Sequence, residues 1–413
     1  MIRAFLALLL LGFTASVSAQ VIVGDEVVSD PLRPRAGPPL RLAAPAVSLA
    51  KDRTGIAIAW TMANGSGADR VYIARLNDSG HVAGSVREMP LAAPAAQTHQ
   101  MVPSIAAAPE GDGFVAAWLE IDGSNPTTAR AVVSRLDAAL QPSAPSMLFP
   151  TLLPIAPAVV RTKSAKTWIS AGGFLWTLAA GGAMEGPLAG LVASDMTLAG
   201  GVPQLVGSHP LPTMFYTCRP GCYIPVGQPF ATCVESCRIY SDYYALDLTA
   251  PPNVIVTKTF FFASAVQPAI ESRDGEVVVV WFRGAQTSGG DVVASRAALT
   301  DLVHFADQPV TLASFRPDAG ETRPAIAADD GVLYAAVWRT IAPAGDHDIA
   351  GAVMASDGKL TPLTIAATAA DERDPAILAL GGGTFLVAYE TITGTERRIA
   401  GRFVTFGRRR ATR

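Results

Sequence analysis

The chain has 413 residues, with 32 basic and 35 acidic side chains and a formal net charge of -3. That balance excludes the basic face a nucleic-acid partner requires. Only 16% of residues are charged and 50% are hydrophobic, which suits a well-buried globular chain and not a disordered one.

The N-terminus carries one positive charge at Arg3, an apolar stretch from Ala4 to Phe13 and small residues at Val17 to Ala19. This grammar predicts a secretory signal peptide over residues 1–19. The apolar stretch is shorter than the roughly 20 residues a spanning helix needs, and no later segment is long enough, so no transmembrane segment is expected after its removal. The mature chain is expected outside the cytoplasm, secreted or periplasmic, as a monomer. Residues 408–413 read as a short basic tail.

From there a pattern returns at intervals of about 55 residues. A Gly, a short apolar run and an aromatic residue appear as Gly55 to Trp60, Gly113 to Trp118, Gly275 to Trp281, Gly331 to Trp338 and Gly383 to Tyr389. Before each comes a strand opening on Pro with a small or apolar pair, at Pro45, Pro103, Pro268, Pro324 and Pro375; after each, a third strand opens behind Asp or Arg. Short β-branched runs punctuated by turn residues read as strands. Two weaker units complete the series. One takes Gly173 to Trp176 as its second strand and Gly186 to Gly190 as its third; the other takes Gly227 to Cys233 and then Asp242 to Leu246.

Third strands then begin near residues 71, 131, 187, 243, 292, 349 and 399, which makes seven units and fills residues 20–407 with one domain. Four-stranded units that cannot bury their faces alone predict an all-β fold, a seven-bladed β-propeller of antiparallel blades. The recurring aromatic is expected to wedge between blades. The seventh unit lacks a fourth strand, and Pro39 to Ala43 is expected to supply it, closing the ring with an N-terminal strand.

All four cysteines, Cys218, Cys222, Cys233 and Cys237, fall in one short stretch. Export and an even count predict two disulfides, with three pairings open; nesting would suit a hairpin, and a four-thiolate zinc site is the alternative.

No G-x-S-x-G elbow, H-E-x-x-H or Walker loop occurs. The one dense titratable cluster is Asp346, His347 and Asp348, at the start of the sixth unit's third strand. Loops entering the first strand and loops joining the second to the third share one face of a propeller. On that face the candidates are Gln267, Arg323, Asp346, His347, Asp348, Asp371 and Asp374. Such a charged rim fits a sugar, a peptide or Ca²⁺, and no other cofactor is indicated.

The repeats at Pro324 to Ala327, Gly383 to Tyr389 and Asp348 to Gly351 resemble the tandem propeller repeats of large secreted bacterial proteins, and more distantly sialidase-like propellers. The S-x-D-x-G-x-T-W box of the latter is absent, and no arginine triad with a Tyr–Glu pair is evident. The resemblance implies the propeller fold. The reading that follows is a non-catalytic binding or scaffold module for a glycan or protein. The alternative is a glycoside hydrolase or lyase using acidic residues at the channel mouth, such as Asp348, Asp371 and Asp374.

Overall fold

The structure is a computed structural model that describes residues 20–28, 47–63, 67–92, 98–107, 113–123, 125–151, 156–162, 166–171, 174–179, 183–190, 195–199, 202–208, 241–247, 254–258, 265–273, 275–285, 289–299, 309–315, 324–329, 333–342, 345–355 and 358–407. The strands form seven antiparallel sheets. Blade 1 contains Val47–Asp52, Gly55–Ala63, Asp69–Leu76 and Val82–Glu88. Blade 2 contains Thr98–Ala107, Phe114–Asp122, Asn125–Leu136 and Ser146–Thr151. Blade 3 contains Ala158–Arg161, Thr167–Ala171, Phe174–Leu178 and Met184–Gly190. Blade 4 contains Asp195–Ala199, Val202–Ser208, Ser241–Asp247 and Val254–Lys258.

Blade 5 contains Ala265–Arg273, Glu276–Ala285, Gly289–Ala298 and Val310–Phe315. Blade 6 contains Ala325–Ala328, Leu333–Ile341, His347–Ala355 and Leu360–Ala366. Blade 7 contains Asp371–Gly381, Thr384–Thr393 and Glu396–Gly407. Each blade's first strand touches the first strand of the next, and that of blade 7 touches that of blade 1, so the ring closes. No helix among the described residues is long and apolar enough to cross a membrane.

Closure uses an N-terminal strand, but not the expected one. Gln20–Val23 pairs antiparallel with Glu396–Gly407 and becomes the outer strand of blade 7, and Val27–Val28 pairs with the same strand. Pro39 to Ala43 lies outside the described residues. A side-chain clasp holds the segment: Tyr389 Oη donates to Glu26 at 3.1 Å, and Arg402 approaches the same carboxylate at 3.7 Å. An outer strand supplied from the far end of the chain removes the open edge that blade 7 would otherwise present.

The core lies in the seams between blades. Trp118 packs with blade 1, Trp281 with blade 4, Trp338 with blade 5, Tyr389 with blade 6 and Trp60 with blade 7. Each wedges into the seam with the preceding blade, and all five are buried. Truncating such an aromatic to Ala typically costs about 3–5 kcal/mol. The Gly that opens the repeat also has a physical cause. Gly113 has φ +82°, and a Cβ there would meet Leu136 O at 2.3 Å. Its freed N–H donates to Asp52 of blade 1 at 2.8 Å, and Gly383 N–H donates likewise to Asp329 of blade 6 at 2.7 Å. Burial raises the Asp52 carboxyl, but hydrogen bonds from Arg75, Thr54 and Gly113 outweigh it and bring it down to about 2.

Three local expectations need correction. Pro103, Pro268 and Pro375 do not open their strands; they occupy bulges inside them, where register shifts between Met101 and Ser104, Val266 and Ala269, and Arg373 and Ala376. A bulge on an edge strand tolerates the missing N–H equally well. In blade 3, Phe174–Leu178 with Trp176 is the third strand, and Met184–Gly190 is the fourth. In blade 4 the second strand is Val202–Ser208, not the segment ending at Cys233. All four cysteines lie outside the described residues.

Candidate active site at the seam of blades 6 and 7

The first strand of a blade begins at the same end of the ring at which its second strand hands over to its third. Three stretches therefore meet at one mouth: the start of Asp371–Gly381, the start of His347–Ala355 and the hairpin between Thr384–Thr393 and Glu396–Gly407. His347 Nδ1 lies 2.7 Å from Asp371 Oδ1, across the seam. Arg373 pairs with Asp371 Oδ2, and Thr368 donates to Glu372. Behind them Arg397 holds the buried Glu390 at 2.6 Å.

Asp374 occupies the bulge before Pro375, in the left-handed region at φ +49°. That conformation is rare for an L residue and is disfavoured before proline. Val102 adopts it too, at φ +50° before Pro103. The bulge thus sets the backbone; what distinguishes blade 7 is a carboxyl where blade 2 has an apolar side chain.

Asp374 and Asp195 line a central cavity of about 150 Å³. Its wall takes small residues at matching register: Ser48, Ser104, Ala158, Ala325 and Ala376. Ser48 Oγ accepts from Ile105 N–H at 3.1 Å, Ser104 Oγ from Val159 N–H at 3.2 Å, and Asp195 from Ile270 N–H at 2.9 Å. One side chain of one blade thus ties the backbone of the next.

The electrostatics separate these acids. Burial, reinforced by the nearby Glu390 carboxylate, pushes Asp374 up to about 6, against the pull of Arg339, Arg373 and Arg397. Burial raises Asp348, with Asp346 adding repulsion, and burial also raises Glu372. Asp371 goes the other way: burial would raise it, but hydrogen bonds from Arg373 and His347 hold it below the ordinary range. Burial lowers His347, and its contact with Asp371 only partly restores it. Arg373 Nε, Arg397 Nε, Asp346 Oδ1, Asp348 Oδ1 and Glu372 Oε2 are buried with no hydrogen-bond partner. Such a concentration of unsatisfied polar atoms is uncommon and calls for a functional explanation.

Of the residues expected from the sequence, Asp346, His347, Asp348, Asp371 and Asp374 come together here. Gln267 belongs to the first strand of blade 5, on the far side of blade 6. Arg323 lies outside the described residues. Glu390 and Asp195 were missed. Glu390 had one signal: it directly follows the repeat aromatic, as Arg339 does in blade 6, where blade 2 has Leu119 and blade 5 has Phe282. Among the described residues no three or more His, Cys, Asp or Glu side chains are placed to hold a metal ion.

No protein-family model matches the chain, and no curated protein matches it. Solved structures do. A Trypanosoma rangeli sialidase in complex with the inhibitor DANA shares 7% identity at a TM-score of 0.46, over 87% of this chain and 54% of its own. The chain therefore spans about half the length of that sialidase. The catalytic domain of a Coprinopsis cinerea alpha-L-arabinofuranosidase shares 9% identity at a TM-score of 0.37, over 93% of this chain and 98% of its own. A Podospora anserina alpha-L-arabinofuranosidase in complex with cellotriose shares 8% at 0.37, over 94% and 98%. These matched structures are glycoside hydrolases, which overturns the expectation of a non-catalytic module. At these identities and scores the likeness carries no residue's role to this chain, so roles must come from its own geometry.

Proposed function

We propose that the chain is an exported glycoside hydrolase whose acid and base are Asp374 and Asp371. The observation that carries this is a pair of carboxyl groups, three residues apart at the channel mouth, displaced in opposite directions: Asp374 up to about 6 and Asp371 down. Environments that separate two carboxyls in this way assign one as acid and the other as base. Export is supported by the leader-like residues 1–19, and the strand that completes blade 7 starts directly after them, at Gln20.

Asp374, protonated in mildly acidic solution, gives its proton to the departing glycosidic oxygen as the anomeric C–O bond breaks. Asp371, ionised, takes a proton from the water that adds to the anomeric carbon. Hydrogen bonds from His347 and Arg373 leave its remaining lone pairs for that water. An acid and a base acting on opposite sides of the bond define the inverting course.

The test uses the purified mature chain and a panel of glycosides with both nitrophenol and sugar leaving groups. The expected result is hydrolysis with inverted product, seen by NMR, and loss of rate above about pH 6 as Asp374 deprotonates. Asp374→Asn should lose about a hundredfold or more on sugar leaving groups. It should lose far less on nitrophenyl glycosides, which depart without a proton. An Asp374→Asn variant as active as the wild type on every substrate, or a wild type that hydrolyses none, would overturn the proposal.

A further inference from the structure

The His347–Asp371 contact has a counterpart elsewhere in the ring with its partners exchanged. Asp69 stands three residues before Tyr72, the pairing partner of Trp60; His347 stands three residues before Ala350, the partner of Trp338. His99 pairs with Ile121, three residues after Trp118; Asp371 pairs with Ile392, three residues after Tyr389. The two pairs thus occupy equivalent positions, on the third strand of one blade and the first strand of the next. His99 Nδ1 lies 2.9 Å from Asp69 Oδ2, much as His347 Nδ1 lies 2.7 Å from Asp371 Oδ1. The repeat geometry brings a His and an Asp together at either seam, but only at blades 6 and 7 is the aspartate open to solvent, at 24% against 3%.

We propose that His347 is a positioning residue: a neutral ring with its proton on Nδ1, it donates to Asp371 Oδ1 while Arg373 holds Oδ2, so that the carboxylate is fixed in one orientation at the mouth. This rests on the glycoside hydrolase reading for its consequence, though not for its geometry. A neutral donor suits the place. The ring is packed near the guanidinium groups of Arg339 and Arg373, beside Asp346 and Asp348 on its own blade, and against Asp371. Burial disfavours a charged ring here, and a third positive charge beside two arginines would be repelled, whereas a neutral N–H still satisfies the carboxylate. Two donors on two oxygens hold the plane of a carboxylate as one donor cannot.

The experiment has two arms. In the first, ¹⁵N NMR of the whole chain labelled at histidine, with His347→Ala to identify the signal, reads the tautomer. The proposal expects a neutral ring at pH 7 with its proton on Nδ1, and a shift of that signal in Asp371→Asn. A proton on Nε2 alone, or an Nδ1 signal indifferent to Asp371→Asn, would overturn it. In the second arm, His347→Ala should lower kcat about tenfold, the worth of one hydrogen bond to a charged group, with KM within about twofold. The acidic limb of the pH profile should move upward, because Asp371 loses a donor that stabilises its ionised form. His347→Asn, whose amide reproduces the donor near Nδ1, should restore both. An unchanged kcat and acidic limb in His347→Ala would also overturn the proposal. If the wild type hydrolysed no glycoside, that would count against the hydrolase reading alone, and the tautomer would decide this one.

Discussion

Two seams of the ring are built from the same strand positions and put to different ends. Between blades 1 and 2 the polar side chains, the His99–Asp69 pair apart, reach the backbone of the neighbouring blade. Arg70 donates to Thr98 O, Gln100 accepts from Val71 N–H and donates to Met89 O and Pro90 O, and Glu120 accepts from Ala92 N–H at 2.9 Å. At the seam of blades 6 and 7, His347 meets Asp371 across the blades, and beside that contact Arg373 bonds Asp371, Arg397 bonds Glu390 and Thr368 bonds Glu372, all side chain to side chain at the start of blade 7. Both seams contain buried unsatisfied atoms, Thr98 Oγ1 and Glu120 Oε2 in the first, so that property alone does not separate them. What separates them is that, the His99–Asp69 pair apart, the first seam's polar groups hold main chain, while the second's hold one another beside an open cavity. A side chain bonded to backbone is a brace; a cluster bonded within itself can present its charge to a ligand.

The sharpest way to break this comparison is to remove the same charge from both pairs. Asp371→Asn should cost at least about a hundredfold in rate on glycosides while shifting the melting temperature little, since the group is partly solvated. Asp69→Asn should leave the rate per folded molecule within about twofold yet cost about 2–3 kcal/mol in urea unfolding, because the buried carboxyl loses its bond with His99. Equal effects of the two substitutions on rate would erase the distinction.

Similar in size is Glu120→Ala, which leaves Ala92 N–H and the Trp118 indole N–H, at 3.4 Å, without their acceptor. About 2–4 kcal/mol of stability should go, with catalysis intact in what remains folded.

A smaller effect has the opposite sign. The folded-state pKa of Asp374 stands above its unfolded value, so the native state gains protons relative to the unfolded one between about 3.8 and about 6. Stability therefore falls as pH rises through that window, and the full penalty is present above it. Asp374→Asn should raise stability by about 1–2 kcal/mol at pH 8 and by nothing at pH 3, while destroying activity. A variant no more stable than wild type at pH 8 would remove the argument that the acid is held against its preference.

The smallest predicted effect lies at the seam of blades 4 and 5. There burial raises Glu271 to about 7, while Ser272 N–H and Thr197 Oγ1, each at 2.8 Å, pull the other way. By the same sign, Glu271→Gln should stabilise the protein slightly above pH 7 and not at pH 4, in chemical unfolding at the two pH values.

Much of the architecture was legible because it repeats. A Gly needed for a left-handed turn, an apolar run and an aromatic wedge recur wherever a blade must pack on its predecessor, and each repetition corroborates the others. Blade 3 was misphased for a physical reason. Second and third strands share the same two-residue alternation, and Trp176 on the third strand itself packs into the seam with blade 2, so it gives the local signature of a second-strand wedge. The closing strand was misplaced because Gln20–Val23 and Pro39 to Ala43 are both short apolar stretches, and only pairing with Glu396–Gly407 tells them apart. At the site, Asp346 to Asp348 was visible as a local density of charge. Glu390 was harder to see, because its one signal, an acid directly after the repeat aromatic, is a single residue at the end of an apolar strand.

By itself the amino-acid sequence determined the module: its length, its strand alternation, its wedge and the number of times it recurs. These are local properties, set by backbone sterics and by apolar periodicity. Tertiary structure alone decided which charges meet, because the ring brings the start of one blade's third strand against the start of the next blade's first. There burial and the Glu390 carboxylate raise Asp374, hydrogen bonds from Arg373 and His347 lower Asp371 against its burial, and one of two equivalent His–Asp pairs presents its aspartate to solvent.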